Sequence, residues 1–156
     1  MGKLPWDWYV TFTFAGEVYP YLAVQYYTTW ADQLAAEVGL VMTHARALEF
    51  QKRGVIHFHA LIWNVGRYTS RKEWEGKWTA LGRPSRAKDH RPCKDAGCLM
   101  CRDGPGWAKI LPYDRTKGAA HYLPKYVAKD GEVDMLTFGT MRGRPDDRRL
   151  VGPQPV

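Results

Sequence analysis

The stretch VIHFHALIW, residues 55–63, is the most informative part of this sequence. Its apolar, β-branched and aromatic residues predict a largely buried strand. His57 and His59 interrupt the apolar run, and because side chains alternate between faces along a strand, both imidazoles lie on one face. A single histidine in such a strand is usually structural and holds one hydrogen bond. Two neighbouring imidazoles cost polar desolvation twice, so the pair predicts a functional face.

The segments around this strand predict an antiparallel α+β fold. The strand LVMTHARALEF (40–50) and the turn QKRG lead directly into 55–63, so the two strands form a hairpin. Alternation and helical periodicity predict the remaining elements: strands at 8–14, 107–113 and 133–140, and helices at 20–38, 71–81 and 116–130. The resulting order, β-α-β-β-α-β-α-β, predicts a five-stranded antiparallel sheet flanked by helices.

One domain accounts for most of the chain. At 156 residues, 45% of them hydrophobic, the sequence is large enough to bury a core and has the composition of a folded domain. We expect this domain to occupy residues 1–140. Residues 82–106 carry proline, glycine, cysteine and charge without periodicity, which predicts an inserted Cys/His-rich loop. Residues 141–156 are predicted to form a basic C-terminal tail.

Charge and aromatic content favour a nucleic acid as the partner. Lys and Arg outnumber Asp and Glu by 23 to 16, and the net charge of +7 attracts polyanions. Seven Trp and nine Tyr offer stacking surfaces for unpaired bases, although most such residues belong to an ordinary core. The sequence lacks an apolar run of the roughly 20 residues that span a membrane, and it does not open with a secretory leader. We therefore expect a cytoplasmic protein with neither a membrane nor a small molecule as its partner.

Glu49 provides a third donor beside the two histidines. In a hairpin whose turn centres near Arg53, Glu49 lies opposite His57, and a shift of one pair places it opposite His59 on the same face. Two imidazoles and one carboxylate form a three-ligand set with open positions, which is typical of catalytic metal sites. Such a set accepts Mg²⁺, Mn²⁺ or Zn²⁺. The alternative for Glu49 alone is a solvated carboxylate on an edge strand.

Two tyrosines with interleaved lysines follow late in the chain. In HYLPKYVAK, Tyr122 and Tyr126 are four residues apart and share a helix face, and Lys125 and Lys129 repeat the interval. Tyrosines at this spacing more often belong to a core. The lysines favour chemistry, because attack of a tyrosyl oxygen on a phosphodiester requires nearby positive charge. Pro124 predicts an irregularity between the tyrosines.

Taken together, GVIHFHALIW, YLPKYVAK and the earlier WYVTFTF resemble the three motifs of the HUH endonucleases. His57-Phe58-His59 matches the His-hydrophobic-His strand, and Glu49 matches the acidic ligand on the preceding strand. Tyr126 and Lys129 match the Tyr-hydrophobic-x-Lys nucleophile motif. Tyr122 matches the additional tyrosine of the two-tyrosine branch. The resemblance covers most of residues 6–140 and implies an HUH domain with an RRM-like sheet.

The resemblance also implies an activity. Members of this family that initiate rolling-circle replication are metal-dependent, site-specific endonucleases and strand transferases acting on single-stranded DNA. The expected cofactor is Mg²⁺ or Mn²⁺ held by His57, His59 and Glu49, and the expected nucleophile is Tyr126, which forms a 5′-phosphotyrosine. Tyr122 is a candidate for the second strand transfer, and Lys125 and Lys129 would offset phosphate charge.

The implied partner is single-stranded DNA at a replication origin, in the cytoplasm of the host of a plasmid, phage or virus. The sequence contains no phosphate-binding Gly-x4-Gly-Lys-Ser/Thr loop, so we expect a separate helicase and polymerase to act in trans. Transposases and relaxases of mobile elements share the motifs and stay open as alternatives. A non-catalytic single-strand-binding module and a phosphoesterase that uses a metal-bound water are the remaining hypotheses.

A second cluster of metal-binding residue types lies in the predicted insertion. The sequence HRPCKDAGCLMC places one histidine and three cysteines within twelve residues, namely His90, Cys93, Cys98 and Cys101. Four such side chains can close a tetrahedral zinc site, which would be structural because no position stays open for water. The alternative is three unpaired thiols in a loop. We expect a structural Zn²⁺, because a loop this polar has little other means of ordering itself.

Overall fold

The computed structural model describes residues 5–51, 54–81, 104–123 and 133–139. Five strands and three helices lie in these ranges: β1 (Trp8–Phe14), α1 (Pro20–Val38), β2 (Met42–Phe50), β3 (Ile56–Trp63), α2 (Arg71–Leu81), β4 (Pro105–Pro112), α3 (Ala119–Tyr122) and β5 (Val133–Phe138). The strands form one antiparallel sheet in the order β4-β1-β3-β2-β5. The predicted α+β order and antiparallel sheet are confirmed, and the histidine-bearing strand β3 lies at the centre.

One face of the sheet carries the main core and is covered by α1 and α2. The alternating apolar residues of β1 and β3, among them Phe12 and Phe58, are fully buried on this face. Trp30 of α1 and the two α2 tryptophans pack on it, and their indoles lie edge-on or tilted against Phe12 and each other. Among the described residues, no helix is long and apolar enough to cross a membrane.

The ends of the two long helices follow the sequence signals. Pro20 stands at the start of α1, where a missing N–H costs nothing. Gly39 ends α1 in the left-handed conformation, with φ of 69°, and its N–H donates to the Ala35 carbonyl at 2.8 Å. At α2 the Glu73 N–H donates to Ser70 Oγ at 3.3 Å, as the capping-box spacing predicts.

The opposite face of the sheet carries a smaller cluster and the short helix α3. We call it the His face, because His57 and His59 belong to it. Its buried apolar residues, half of them alanines, lie around the middle of β2 and β3: Trp6, Ala45, Ala47, Leu61, Ala119 and Leu123. Small residues on the strands let α3 pack closely, and the part of this face that holds the histidines lies beyond the cluster.

Two boundaries differ from the sequence prediction. The helix expected over 116–130 appears as Ala119–Tyr122 within the described residues, and Leu123 leaves helical geometry with φ of −123° and ψ of 44°. The residue that precedes a proline is disfavoured in the α region, and Pro124 follows Leu123. The expected insertion also ends earlier than residue 106, because Pro105 and Gly106 already belong to β4. Pro105 takes the first position of that strand, where its missing N–H is tolerated.

Candidate active site

Three neighbouring strands bring polar side chains together on the His face. Glu49 of β2 lies directly opposite His57 of β3, the first of the two registers that the hairpin allows. On the other side of β3, Thr13 and Thr11 of β1 lie opposite His57 and His59. Both histidines are half-buried. The fold therefore places all three side chains predicted as ligands on one face of the sheet.

His59 is held from both sides of its ring. Its Nε2 atom lies 3.0 Å from Glu49 Oε2, and its Nδ1 atom lies 3.0 Å from the Tyr9 hydroxyl and 3.3 Å from Thr11 Oγ1. The Tyr9 and His59 rings are nearly parallel, with 7° between their planes. These contacts fix the orientation of the imidazole before any ligand binds.

His57 has a different environment. Its Nδ1 atom lies 2.9 Å from Gln51 Nε2, at the end of the β2–β3 hairpin. Burial lowers the pKa of His57 first, the neighbouring His59 lowers it further, and the Glu49 carboxylate acts in the opposite direction. The lowered pKa keeps this imidazole neutral at neutral pH, which is the form that binds metal ions.

The donor set suits a divalent cation in type but is not gathered around one point. Within the described residues, no group of three or more His, Cys, Asp or Glu side chains has an arrangement that could hold a metal ion. Glu49 and His59 are bonded directly to each other, and the His57 Nδ1 atom is engaged by Gln51. Two imidazoles and a carboxylate on one sheet face nevertheless fit Mn²⁺ or Mg²⁺ chemically.

Tyr122 reaches the same face through aromatic packing. Its ring lies against Tyr9 and Tyr113, with centroid distances of 4.8 and 5.1 Å. Its hydroxyl accepts a hydrogen bond from the Asp114 N–H at 3.0 Å. The Tyr9 ring thus separates Tyr122 from His59, and the Tyr122 oxygen is occupied by the backbone of the β4–α3 loop.

Several predicted site residues lie outside the described residues. These are Lys125, Tyr126 and Lys129 of the nucleophile motif, and His90, Cys93, Cys98 and Cys101 of the cysteine cluster. The roles expected for them stay predictions, as do an inserted loop that begins at residue 82 and a tail at 141–156.

Sequence reasoning missed the residues that support the histidines. Tyr9 and Thr11 alternate with the buried residues of β1, which placed them on the face opposite the core. The alternation in WYVTFTF indicates which residues share a face, but it does not indicate which strand pairs with β1. Gln51 lies two residues after Glu49, and only the hairpin geometry brings its amide to His57.

Comparison of the chain with protein-family models, with curated proteins and with solved structures finds no match.

Proposed function

We propose that this protein is a metal-dependent endonuclease and strand transferase for single-stranded DNA, of the HUH type that initiates rolling-circle replication. One observation carries the proposal: His57, His59 and Glu49 share the open part of the His face on adjacent strands, and the helix that precedes Tyr126 packs on that same face. A purely structural role would not explain why three polar side chains lie together beside a core, where each of them costs desolvation.

The path of the chain supports Tyr126 as the nucleophile. Leu123, just before the motif, is fully buried in the cluster around Ala47, and Val133, just after it, packs against the same cluster. Ala47 is the direct neighbour of both His59 and Val133 in the sheet. Tyr126 follows Leu123 by three residues in the sequence. Both ends of the nucleophile segment are thus attached beside the histidines.

Each side chain of the site has a defined part in the proposed reaction. A divalent cation held by His57, His59 and Glu49 would supply Lewis-acid polarisation of the scissile phosphate. The Tyr126 oxygen attacks the phosphorus, the bond to the 3′ oxygen breaks, and the 5′ phosphate becomes esterified to the tyrosine. The phenolic proton is released and the departing 3′ oxygen gains a proton, which leaves a free 3′ hydroxyl. The ammonium groups of Lys125 and Lys129 offset the phosphate charge.

The hydroxyl partners of His59 suit this role because a hydroxyl can either donate a hydrogen bond to Nδ1 or accept one from it. As long as Nε2 donates to Glu49, Nδ1 accepts from Tyr9 or Thr11. When Nε2 instead offers its lone pair to a cation, Nδ1 carries the proton, and the oxygen of Tyr9 or Thr11 accepts a hydrogen bond from this N–H without moving. The Gln51 amide has the same freedom at His57, since rotation by half a turn exchanges its nitrogen for its oxygen.

Covalent capture tests the proposal. Purified protein is incubated with Mn²⁺ and single-stranded oligonucleotides of randomised sequence, labelled at either the 3′ or the 5′ end, and separated under denaturing conditions. A 5′-phosphotyrosine retains the 3′-labelled fragment on the protein and releases the 5′-labelled fragment. The adduct should disappear with EDTA and in Tyr126→Phe, which keeps the ring and removes the nucleophilic oxygen.

The other outcomes identify the competing hypotheses. Cleavage without an adduct would point to a water nucleophile and hence to a phosphoesterase. Tight binding with neither cleavage nor adduct would leave a non-catalytic single-strand-binding module. Either result contradicts the proposal.

A further inference from the structure

An irregularity in the sheet places an exposed tryptophan on the His face. Between Phe12 and Phe14, one residue of β1, Thr13, faces two residues of β4, Gly106 and Trp107. This is a β-bulge, and bulges re-aim side chains and are frequent beside active sites. The next residue, Ala108, packs against the main core, so Trp107 points to the opposite face, where 56% of its surface is exposed.

The backbone of Trp107 is held firmly. Thr13 Oγ1 donates to the Trp107 carbonyl at 2.8 Å, and the Trp107 N–H donates to the same Oγ1 at 2.9 Å. At the bulge, the Thr13 carbonyl accepts a hydrogen bond from the Trp78 indole at 3.0 Å. These bonds satisfy the polar groups that the bulge leaves unpaired, so the exposed ring stands on a rigid support.

Gly106 is required by this close approach. A Cβ atom at residue 106 would lie 2.8 Å from Thr13 Oγ1 and 3.1 Å from the Phe14 carbonyl carbon. Neither atom can move without disturbing β1, so a larger residue would push the Trp107 segment away from its support. The exposed position of the Trp107 ring therefore depends on glycine at residue 106.

The ring lies in line with the histidines. Thr13 is the direct neighbour of His57, so Trp107 lies two strand spacings from that histidine, about 10 Å across the sheet. Lys109, also exposed, is the direct neighbour of Thr11, which in turn lies opposite His59. On one strand face, two residues apart, an aromatic ring can stack on a base and an ammonium group can pair with a phosphate of the same strand.

We infer that Trp107 and Lys109 form a subsite for one nucleotide of single-stranded DNA next to the scissile phosphate, with the unpaired base stacked on Trp107 and a phosphate paired with Lys109. The inference rests on the proposed function for the identity of the DNA as substrate. Stacking is tolerant of base identity, so the subsite would add affinity and position the strand without selecting a sequence.

The test measures binding separately from cleavage. Anisotropy of labelled oligo(dT) of about 20 nucleotides, at one fixed salt concentration, gives the affinity of each variant. Trp107→Ala should weaken binding roughly 5- to 100-fold, as loss of one stacked base does, and Trp107→Phe much less. Tyr68→Ala is the matched control, because Tyr68 is 93% exposed in the loop before α2, and it should bind like the unchanged protein. In a separate series of salt concentrations, Lys109→Gln should reduce the slope of log affinity against log salt by about one unit.

Removal of the bases tests for the stacked base. For the unchanged protein, a strand of the same length whose positions are all abasic should bind more weakly than oligo(dT), whereas Trp107→Ala should lose most of that difference. A duplex of the same length should bind equally to both proteins, because its bases are already stacked. Equal binding of the single strand by Trp107→Ala and the unchanged protein would overturn the inference, as would an equal loss in Tyr68→Ala.

Failure of this inference is distinguishable from failure of the proposed function. Trp107 takes no part in the chemical step, so the loss in Trp107→Ala should appear as weaker DNA binding, and adduct formation should fall only through that weaker binding. Tyr126→Phe should lose the adduct and keep both the affinity and the preference for oligo(dT) over the abasic strand. An unchanged protein that forms no adduct but shows this preference would refute the endonuclease and retain the stacking subsite.

Discussion

The hydroxyl oxygen of Tyr9 lies 3.0 Å from Nδ1 of His59. The two residues are 50 positions apart, and their rings are almost parallel. A proposed metal ligand on the central strand is thus oriented by a residue from the strand beside it. Such outer contacts fix the tautomer and direction of a ligating imidazole, so they govern metal affinity although they never touch the metal.

Removal of this contact should weaken metal binding. In Tyr9→Phe the ring stays and only Thr11, at 3.3 Å, is left to hold Nδ1 of His59. Second-shell losses of this kind cost roughly 10- to 100-fold in affinity, and we expect the lower end because Thr11 persists. Calorimetric titration with Mn²⁺ measures the change, and Tyr68→Phe serves as a distant control. Unchanged Mn²⁺ affinity would mean that Tyr9 only packs.

Loss of the ligands themselves should follow a definite order. His57→Ala or His59→Ala should abolish adduct formation and keep most DNA affinity, because basic residues rather than the metal carry phosphate binding. Glu49→Ala should cause a smaller loss that high Mn²⁺ partly restores, since two imidazoles remain. Adduct yield against Mn²⁺ concentration gives the comparison. Normal activity in either histidine variant would refute the metal site.

The two tyrosines should separate in their effects. Tyr126→Phe should eliminate the adduct, whereas Tyr122→Phe should keep the first cleavage and affect only the later strand-joining step. Tyr122→Phe also leaves the Asp114 N–H without its acceptor, which should lower the free energy of unfolding by about 1 kcal/mol. Adduct gels and urea unfolding test both parts. An adduct retained in Tyr126→Phe and lost in Tyr122→Phe would make Tyr122 the primary nucleophile.

The free energy of unfolding should decrease as the pH is lowered, because a histidine lies in the main core. Burial, with a further contribution from Arg46, lowers the pKa of His44 to about 3. The unfolded chain, with a histidine pKa near 6.5, then binds more protons than the folded chain between about pH 6.5 and 3. Stability is therefore fully present above the unfolded pKa and decreases as pH falls, by about 2 kcal/mol at pH 5.

The variant that tests this pH effect removes both partners of the hydrogen bond between His44 and Tyr27. His44 Nδ1 lies 2.8 Å from the buried Tyr27 hydroxyl, so His44→Leu together with Tyr27→Phe leaves neither group unsatisfied. Urea unfolding at pH 7 and pH 5 should show a smaller pH dependence in the double variant. His57 is present in both proteins, so the difference isolates His44. Identical pH dependence would show that His44 protonates in the folded state at little cost.

The cysteine cluster should bind zinc independently of the active site. The purified protein should contain about one zinc ion, which survives His57→Ala and is lost when Cys98→Ser and Cys101→Ser are combined. Elemental analysis and thiol titration measure both states. Freely reactive thiols without bound zinc would favour the simple loop.

Local pattern was sufficient for much of this fold. Alternation along 55–63 placed His57 and His59 on one face, and the short QKRG turn restricted Glu49 to two positions opposite them. Helix α1 begins at Pro20 and is capped by Gly39, and α2 starts after Ser70, because these caps are encoded within a few residues. Each of these features depends on neighbours in sequence, where propensity and turn geometry act directly.

Only the tertiary structure decided what surrounds the histidines. Tyr9 and Thr11 reach His59 because β1 pairs with β3 across the sheet, although α1 and β2 intervene in the chain. The bulge that exposes Trp107 likewise depends on the register between β1 and β4, whose contacting residues Thr13 and Trp107 are 94 positions apart. Register between distant strands is selected by burial of the whole core under α1 and α2, a non-local free energy that no short stretch of sequence contains.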